Sequence, residues 1–567
     1  DTKMSITAMA ATAMVERLTQ TGSPFEIVEV QVGGQRLRAY RNAPATLPEL
    51  IDAARAHGAK EYMAYQGERW SFDRFFAAVD ALAGRMQAEG GIRPGDRVAI
   101  AMRNRPEWAV AFAASVLVGA VPAPINSFGQ REELSDAIAD VQPRVLFLDS
   151  DRCKRLQDDL VGLGCHVVLA DADPAAGSGL LSMRALMSAG GPARRPVKLS
   201  SDDPALLLFT SGASSKPKGV LSSQRAVCQA LMNIDFIGAL SGMTSPETVA
   251  QLMARGLAPA TLSAVPLFHV SGLHAQLLTN LRNGRRLVFM HRWEPSQALQ
   301  MIRDELITQF NGAPAMVMQL LSTPGFDPAG SAKTLGGVGF GGSGLPQRLI
   351  NEVLGRFPDS MSGIGFGLTE TNGVGAAISG RLFAGKPHSS GLKSPIVELC
   401  ITDPAGQALP AGQAGEIWIR GVTVMQGYWH QPQATAQALN GGWFRTGDIG
   451  YLDDEGFLFV IDRIKDVINR SGEKIAAAEL ESCLLMHPQV AEAAVFARPD
   501  DTHGEVPVAV VVPQPGADLQ AADVTAHVAQ RLASYKVPAE VIVRCEAMPR
   551  NPAGKLLKGE LKRLYLS

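Results

Sequence analysis

The sequence is short of several features that mark other classes of protein. Aromatic residues make up 6% of its 567 residues, and 53 basic against 55 acidic residues give a net charge of −2. A protein that binds nucleic acid mainly through its phosphates usually has a basic excess, so the charge balance disfavours that function. The hydrophobic content of 46% is typical of a globular protein and excludes a disordered or collagen-like chain.

Cysteine is also scarce, and the six cysteines are scattered singly along the chain. They form no C-x-x-C pair and have no histidine cluster nearby. This spacing disfavours a structural zinc site and a disulfide framework, and it predicts a cytoplasmic protein.

The sequence has no long hydrophobic run that is free of helix breakers. The strongest candidate for a membrane span, Trp108–Ile125, contains Gly119, Pro122 and Pro124, so we interpret it as a core helix that runs into a loop. The N-terminus lacks a basic region followed by a long apolar stretch, and no secretory signal is expected. We therefore predict no transmembrane segment.

Helical and strand patterns alternate through most of the chain. Ser71 is suited to cap a helix, because the apolar residues after it recur with helical spacing. Short strands are predicted at Val98–Met102, Val145–Leu148 and Leu206–Phe209, with a helix at 131–140. Strands separated by helices predict an α/β fold, with stacked, mostly parallel sheets covered by helices.

The last hundred or so residues have a different pattern. Strands such as Ala494–Phe496 and Val508–Val512 flank the helical stretches Ala476–Met486 and Asp523–Tyr535, which predicts a small α+β domain. A charged run separates it from the large domain. We divide the chain into an N-terminal extension of unknown role, a large domain, a linking segment and the small domain, at residues 1–48, 49–462, 463–466 and 467–567.

A polar segment, Thr210-Ser-Gly-Ala-Ser-Ser-Lys-Pro-Lys-Gly219, follows a buried strand. Backbone N–H groups in such a loop can form a nest for anions, hydroxyls donate to phosphate oxygens, and lysine adds positive charge. The segment is not a Walker A loop, because Gly212 is not followed by Gly-Lys-Ser/Thr. It favours phosphate binding, and a solvated polar turn is the alternative.

Three later positions carry polar groups suited to nucleotide chemistry. Glu370 follows a glycine-flanked Phe366, and Mg²⁺ is usually bound by one or two carboxylates together with phosphates. Asp448 follows Thr-Gly, where it can accept both hydroxyls of a ribose or form an Asx turn. Lys555 follows Asn-Pro-Ala-Gly, and by itself it would be a solvated lysine in a turn.

Together these motifs resemble those of the adenylate-forming superfamily of acyl-CoA synthetases, luciferases and peptide-synthetase adenylation domains. The motifs in order are Thr210–Gly219, Phe366-Gly-Leu-Thr-Glu370, Thr446-Gly-Asp448, Asp462-Arg-Ile-Lys465, Ser471-Gly-Glu-Lys474 and Gly554-Lys555. The resemblance covers about residues 50–560 and is strongest to fatty-acyl and aryl-CoA ligases. It implies activation of a carboxylic acid by ATP and Mg²⁺ as acyl-AMP, release of pyrophosphate, and formation of a thioester with coenzyme A.

The resemblance also implies a role for each matching position. ATP and AMP binding falls on Thr210, Ser211, Gly212, Ser214, Lys218, Ser343, Gly344, Phe366, Gly367, Thr369, Asp448, Arg463 and Lys555. The acid pocket falls on His269, Gly272, Gly312, Gly342 and Gly344. Coenzyme A falls on Ser471 and Gly472, the hinge on Lys465, the metal on Glu370, and catalysis on Lys555, Glu370 and Thr369. The large domain would bind ATP and the acid, and the small domain would be a mobile lid.

Several positions depart from the family pattern. Ala213-Ser214-Ser215 stands where the phosphate loop usually has Ser/Thr-Thr-Gly, which implies a weaker grip on pyrophosphate with function retained. Ile364 replaces a frequent glutamine near adenine, and Asn469 and Ser471 replace lysines of plant aryl-CoA ligases. These changes concern the contacts to AMP and coenzyme A.

The segments expected near the acid pocket are small and apolar, without a charge to pair with a second ionised group. We therefore predict a hydrophobic monocarboxylic acid, either a fatty acid or an arylalkanoate. Two alternatives stay open, an acyl-AMP ligase that loads a carrier protein in trans and a non-catalytic binder. The turn at Lys555 also resembles a site of protein acetyltransferases, and a homodimer is kept as an option for assembly.

Overall fold

The computed structural model describes residues 2–210, 216–341 and 345–566. Its α-helices are Thr2–Thr19, Leu47–Ala53, Phe72–Ala88, Pro106–Leu117, Arg131–Val141, Ser150–Leu156, Met183–Leu186, Gln224–Thr244, Pro246–Ala254, Val270–Gly272, Thr279–Asn283, Pro295–Asp304, Pro314–Leu321, Gln347–Arg356, Gly380–Gly385, Pro432–Ala438, Ala477–Leu485, Ala521–Ala529 and Lys558–Tyr565. A π-helical segment spans Leu273–Leu278, and short 3₁₀ turns span Ala54–His57, Thr369–Thr371, Ile464–Asp466 and Ser534–Lys536.

The predicted alternation of helices and strands is confirmed in the first half of the chain. Ser71 caps the helix Phe72–Ala88, with its hydroxyl accepting from Arg74 N at 3.0 Å. A fully parallel five-stranded sheet follows, in the order Val121–Pro124, Arg97–Ala101, Val145–Leu148, His166–Leu169 and Leu181–Ser182. Strands of this kind are buried on both faces and read as continuous apolar runs, which explains why Arg97–Ala101 and Val145–Leu148 could be predicted. The other three strands of this sheet were not predicted.

The central sheet has fourteen strands and two halves of different character. Its order is Val397–Thr402, Gly415–Gly421, Trp443–Leu452, Phe457–Arg463, Gly391–Lys393, Ala376–Ser379, Gly363–Phe366, Val338–Gly341, Gln309–Gly312, Ala260–Ser263, Arg286–Phe289, Glu61–Tyr65 and Glu68–Ser71, with Leu439–Asn440 beside Trp443–Leu452. The strands between Gly363–Phe366 and Glu61–Tyr65 pair in parallel, whereas those from Gly363–Phe366 to Val397–Thr402 pair antiparallel. The expectation of mostly parallel sheets is therefore too simple for this half.

A third, three-stranded sheet carries the polar segment. Strand Pro204–Phe209 pairs antiparallel with Gly219–Ser223, and the latter pairs with Gly427–Tyr428. The polar segment is therefore the connection of a β-hairpin.

Residues from 467 onward form a separate sheet and two cores of their own. The strands are Glu473–Ala476, Val467–Arg470, Gly504–Pro513 and Val490–Asp500 in that order, with Glu540–Val543 beside Gly504–Pro513. The two clusters of buried apolar side chains here contain residues of this unit alone. We call it the C-terminal unit and the rest of the chain the N-terminal unit.

The N-terminal extension packs on the N-terminal unit. Strands Ile27–Val32 and Gln35–Tyr40 form an antiparallel hairpin, and the Tyr40 backbone exchanges hydrogen bonds with the Gln229 side chain at 2.8 and 3.0 Å. The Tyr40 hydroxyl donates to Asn233 Oδ1 at 2.7 Å, and its ring packs beside Phe25 and Phe236. Residues 27–40 thus cover one side of the long helix Gln224–Thr244.

We expect Tyr40→Phe to lower the free energy of unfolding by about 1 kcal/mol, because a buried hydrogen bond is lost while the ring is kept. Urea denaturation followed by intrinsic fluorescence measures this. Tyr535→Phe in the C-terminal unit is the matched control and should leave the value unchanged. An unchanged midpoint for Tyr40→Phe would mean that the hydroxyl contributes nothing to docking of the hairpin.

One helix of the described residues, Gln224–Thr244, is long and apolar enough to cross a membrane by length and composition. Half of that window is buried inside the protein, and its side chains pack against the N-terminal hairpin and the central sheet. The segment singled out from the sequence forms the shorter helix Pro106–Leu117, whose side chains are almost all buried, followed by the strand Val121–Pro124. Both therefore pack as core elements.

Candidate active site

The hairpin that carries the polar segment is closed by its own end residues. Thr210 N donates to the Lys218 carbonyl at 2.9 Å, and Lys218 N donates to Thr210 Oγ1 at 3.0 Å. The Lys218 ammonium lies 5.3 Å from the centre of the Tyr428 ring, a cation–π distance. The predicted positions Ser211, Gly212 and Ser214, together with the departures Ala213 and Ser215, lie outside the described residues.

Glu370 lies in the 3₁₀ turn Thr369–Thr371, at the end of the strand Gly363–Phe366. The Tyr428 hydroxyl donates to Glu370 Oε1 at 2.8 Å, and the Glu370 carbonyl accepts from Met425 N at 2.7 Å. Burial, together with the nearby carboxylate, raises the pKa of Tyr428, so the phenol keeps its proton. One carboxylate oxygen is thus held by Tyr428, in the strand that pairs beside the polar hairpin.

Asp448 and Arg463 are cross-strand partners in the central sheet. Arg463 Nε lies 2.8 Å from Asp448 Oδ1, and Thr446 Oγ1 accepts from Asp448 N at 3.1 Å. Burial raises the pKa of Asp448 to about 6, against the opposing effects of Arg463 and Lys555. Asp448 is 5% exposed, so its carboxylate is a buried acceptor beside the Arg463 cation.

Lys555 is presented by a tight turn of the C-terminal unit. Asn551 Oδ1 accepts from Lys555 N at 2.9 Å, and the Lys555 carbonyl accepts from Asn551 N at 2.8 Å. Gly554 has a φ of +84° and lies so close to the N-terminal unit that an added Cβ would be 2.9 Å from Ala313 Cβ. Glycine is therefore required here both by the backbone conformation and by the close approach of the two units.

Lys555 is an exposed residue at the boundary between the units, and its ammonium is within electrostatic reach of Arg463, Asp448 and Glu370. We use the word crevice for the region between these four side chains. Desolvation first, and then repulsion from Arg463, lowers its pKa, while Asp448 and Glu370 act in the opposite direction. The hinge candidate Lys465 is exposed in the 3₁₀ turn Ile464–Asp466 and adds a further small repulsion.

His269 is within electrostatic reach of Lys555. Burial, together with the Lys555 cation, lowers the pKa of His269 to about 3, so the imidazole is neutral. Its Nε2 is buried and has no hydrogen-bond partner among the described residues. Gly272, one turn later, is buried so tightly that an added Cβ would lie 2.2 Å from the Pro266 carbonyl oxygen.

The structure therefore brings five of the predicted positions within electrostatic reach of one another: Glu370, Asp448, Arg463, Lys555 and His269. Lys218 joins them through Tyr428, which contacts both Lys218 and Glu370. Thr369 is next to Glu370. Gly312 ends the strand Gln309–Gly312, which is separated from Gly363–Phe366 by the strand Val338–Gly341, and a Cβ added to Gly312 would lie 3.4 Å from Met316 Cβ. Gly342, Ser343 and Gly344 lie outside the described residues.

Phe366 and the two coenzyme A positions are placed differently. Phe366 is 3% exposed and packs in a core cluster with Val374 and Ala376, so its stacking on adenine stays a prediction. An added Cβ at Gly367 would be 2.2 Å from the Gly373 carbonyl oxygen. Ser471 and Gly472 form an exposed hairpin turn, and Ser471 pairs with His503 of the C-terminal unit, its Oγ 2.9 Å from the ring Nδ1.

Between the described parts of the two units, three hydrogen bonds hold this arrangement. Asp462 Oδ2 accepts from Ala478 N at 3.0 Å, Ser482 Oγ accepts from Gln347 N at 3.0 Å, and Arg348 donates to the Val490 carbonyl at 2.8 Å. Below them, Lys558 and Glu481 form a buried ion pair at 2.6 Å.

The sequence analysis missed Tyr428, which holds the Glu370 carboxylate. It also missed Asn372, which has a φ of +52° and donates to Ser222 Oγ at 2.9 Å and to the Thr423 carbonyl at 3.0 Å. The dipeptide Asn372-Gly373 is a recognised turn signal that could have identified this position. Nothing in the sequence around Tyr428 indicates its contact with Glu370.

This site belongs to an enzyme of a known family. The family model described as AMP-binding enzyme matches residues 50–429, and the model described as AMP-binding enzyme C-terminal domain matches residues 479–555. The chain therefore belongs to the AMP-binding enzymes, the adenylate-forming superfamily that the motifs resemble.

Relatives of the chain are CoA ligases. A 4-coumarate–CoA ligase-like protein of Oryza sativa subsp. japonica is 31% identical, with 94% of this chain and 96% of the relative covered. A feruloyl-CoA synthase of Amycolatopsis sp is 32% identical (86% and 92% covered), and an indoleacetate–CoA ligase of Aromatoleum aromaticum is 33% identical (87% and 93% covered). The predicted enzyme class, an AMP-forming acid–thiol ligase, is confirmed.

Solved structures show the same fold. ATP-bound MatB of Rhodopseudomonas palustris superposes with a TM-score of 0.79 at 25% identity, covering 91% of this chain and 99% of that chain. The o-succinylbenzoate CoA synthetase of Bacillus subtilis, in complex with its acyl-adenylate, gives a TM-score of 0.73 at 29% identity, covering 90% and 97%. The predicted α/β fold with a separate C-terminal unit is confirmed.

Proposed function

We propose that this enzyme joins a hydrophobic, aromatic monocarboxylic acid to coenzyme A, with ATP as the energy source and an acyl-AMP intermediate. The observation that carries the proposal is the convergence of Lys555, Asp448, Arg463 and Glu370 in one crevice facing the neutral His269. A carboxylate and a polyphosphate repel each other, so their reaction requires cations where negative charge accumulates.

The residues at Glu370 fit a magnesium ion. The described residues contain no group of three or more His, Cys, Asp or Glu side chains that could hold a metal by themselves. Mg²⁺ suits such a site, because it is usually bound by one or two carboxylates together with substrate phosphates and waters. Glu370 would hold the ion, which would neutralise charge on the phosphates when bound.

The chain's own residues have separable roles in this proposal. Lys218 and Lys555 would supply positive charge to the phosphates, and Asp448 with Arg463 would receive the ribose. His269 is uncharged, and its buried Nε2 has no hydrogen-bond partner among the described residues, so it would be available to orient the acid. The coenzyme A thiolate would then attack the acyl carbonyl, forming the C–S bond while the bond to the phosphate oxygen breaks and AMP leaves, with Ser471 and Gly472 near the pantetheine.

Sequence relatives support an aromatic acid. The acids in the names of the relatives quoted above are coumarate, ferulate and indoleacetate, all aromatic monocarboxylates. The described residues Gly272 and Gly312 add no charge near His269, and both are packed against neighbouring protein atoms. Since a buried unpaired charge costs several kcal/mol, a dicarboxylate should be a poor substrate.

A panel of acids with ATP, with and without coenzyme A, tests the proposal, with acyl-AMP and acyl-CoA measured by mass spectrometry. Arylpropenoates and arylacetates should give acyl-CoA at higher kcat/KM than dicarboxylates or amino acids of equal length. Product formation with a carrier protein but not with free coenzyme A would instead favour the carrier-loading alternative. No acyl-AMP from any acid would contradict the proposal.

The raised pKa of Asp448 predicts that the affinity for the ribose depends on pH. Only the ionised carboxylate is a full acceptor, so adenosine affinity should fall about tenfold between pH 8 and pH 5. Isothermal titration calorimetry with adenosine measures this, since adenosine has no ionisable group in that range. Asp448→Asn should bind more weakly and without the pH dependence.

The raised pKa of Asp448 has the opposite effect on folding stability, which falls with rising pH whereas adenosine affinity rises. Because the pKa of Asp448 in the folded protein lies above its ordinary value of 3.8, the folded state holds the proton more tightly and loses stability as pH rises from about 4 to 6. A wild-type adenosine affinity that does not change with pH would contradict the assignment of Asp448 to ribose.

We extend the proposal to the location, regulation and assembly of the enzyme. The cysteines are unpaired among the described residues, which supports residence in the reducing cytoplasm. Acetylation of Lys555 would remove the cation at the crevice and switch off adenylation. A homodimer stays a prediction that analytical ultracentrifugation tests.

A further inference from the structure

We infer that His274 and Asn372 are positioning residues, which hold the Glu370 turn against the strand leaving the polar hairpin and against the π-helical wall beside His269. The inference rests on the proposed role of Glu370 in binding magnesium and adds two side chains to it. Neither residue contacts the reacting atoms in this interpretation.

Asn372 stabilises the turn that contains Glu370 through hydrogen bonds of its backbone and its side chain. Its backbone N donates to the Thr369 carbonyl at 3.1 Å and closes the turn that contains Glu370. Its side-chain amide donates to Ser222, in the strand that leaves the polar hairpin, and to the Thr423 carbonyl, two residues before Met425. The Asn372 amide therefore links three segments near Glu370, which are its own turn, the strand of Ser222 and the segment of Thr423.

The remaining polar atom of the Asn372 side chain, its oxygen Oδ1, is hydrogen-bonded to His274. The Thr423 carbonyl can only accept, so the Asn372 nitrogen faces it and the oxygen Oδ1 is left as an acceptor. His274 Nε2 lies 3.0 Å from that oxygen and must carry the hydrogen. Both side chains are buried, with His274 completely inaccessible.

The proton assignment holds at every working pH. Burial lowers the pKa of His274 to about 4, so the ring is neutral and its Nε2–H donates. Among the described residues, the side chain that bonds to the His274 ring is the uncharged Asn372 amide. His274 thus acts as a fixed neutral donor.

The element that carries His274 connects it to the proposed acid pocket. His274 lies in the π-helical segment Leu273–Leu278, which follows the turn begun by His269 and Gly272. π-Helical turns inside α-helical stretches occur often at functional sites, because the extra residue redirects one side chain. The hydrogen bond between His274 and Asn372 therefore joins the segment that follows His269, at the proposed acid pocket, to the turn of Glu370.

Three variants test the inference. His274→Leu removes the donor, His274→Gln keeps an amide donor of similar reach, and Asn372→Gly keeps the positive φ while removing the side chain. His57→Leu, which loses a comparable imidazole bond to the Arg282 carbonyl, is the matched control. The thermal midpoint of each variant is measured first.

The decisive readout is the magnesium requirement. ATP affinity is measured by calorimetry with and without Mg²⁺, and the Mg²⁺ concentration for half-maximal acyl-AMP formation is measured separately. His274→Leu and Asn372→Gly should each raise that concentration about fivefold and reduce the gain in ATP affinity from Mg²⁺ by a similar factor. His274→Gln and His57→Leu should stay within about twofold of the wild type.

Supplied acyl-AMP with coenzyme A should react at the wild-type rate in all variants. The inference is overturned if the magnesium requirement of His274→Leu and Asn372→Gly is unchanged, or if both half-reactions fall by the same factor. It is also overturned if His274→Gln is as impaired as His274→Leu. Failure of the proposed function would appear separately, as a wild-type enzyme that forms no acyl-AMP while the binding arm still reports on Mg²⁺.

Discussion

Lys555→Ala is expected to reduce acyl-AMP formation by roughly two to three orders of magnitude, because removing one preorganised group from such a site costs about 3–4 kcal/mol. The ammonium enters the crevice from the C-terminal unit on a turn closed by Asn551 and faces Asp448 and Glu370. Its cation would bridge the acid carboxylate and the α-phosphate.

The measurement separates the two half-reactions. Acyl-AMP formation is followed by pyrophosphate release, and thioester formation is started from supplied acyl-AMP and coenzyme A, where Lys555→Ala should keep close to the normal rate. Lys562→Ala, in the terminal helix Lys558–Tyr565, is the control and should affect neither step. Normal ATP-dependent acyl-AMP formation by Lys555→Ala would mean that the C-terminal unit takes no part in adenylation.

Lys465→Pro is expected to impair thioester formation at least about 100-fold more than acyl-AMP formation. Lys465 lies in a 3₁₀ turn, where φ is normally near the value that proline fixes, so residue 465 can keep its φ, and the cost in this arrangement falls on the helical backbone of Ile464 before it. A second arrangement that needs a different φ would be disfavoured by about 3 kcal/mol or more.

The same two assays test this prediction, with Lys474→Ala as a control lysine in a neighbouring strand. An equal loss in both half-reactions, with an unchanged thermal midpoint, would place the hinge at another residue of 463–466 or outside it. A loss confined to acyl-AMP formation would show that the arrangement described here is the one that proline excludes.

The elements that the sequence predicted well are those whose signal is local. The strand Val145–Leu148 is a short apolar run with buried faces on both sides, and Ser71 is followed by a regular helical repeat. The motifs around Glu370 and Lys555 could be recognised because their residue types and order are specific. The roles of these residues stay predictions until they are tested.

The elements that the sequence did not predict depend on contacts far apart in the chain. Tyr40 bonds to Asn233 across 193 residues, and Tyr428 bonds to Glu370 across 58. The antiparallel half of the central sheet is built by strands whose partners lie up to about seventy residues away, such as Gly391–Lys393 with Phe457–Arg463. Pairing of this kind is decided by packing, which a single sequence does not display.

The hydrogen bonds that join the two units have a consequence for the enzyme before any substrate arrives. Asp462, Gln347 and Arg348 each contribute one bond, and at about 1 kcal/mol net per bond they total about 3 kcal/mol. An energy difference of this size corresponds to a population ratio of roughly 150 to 1. If the second arrangement has no equivalent bonds, the free enzyme rests with its two units docked and with the Lys555 turn beside the N-terminal unit before ATP binds.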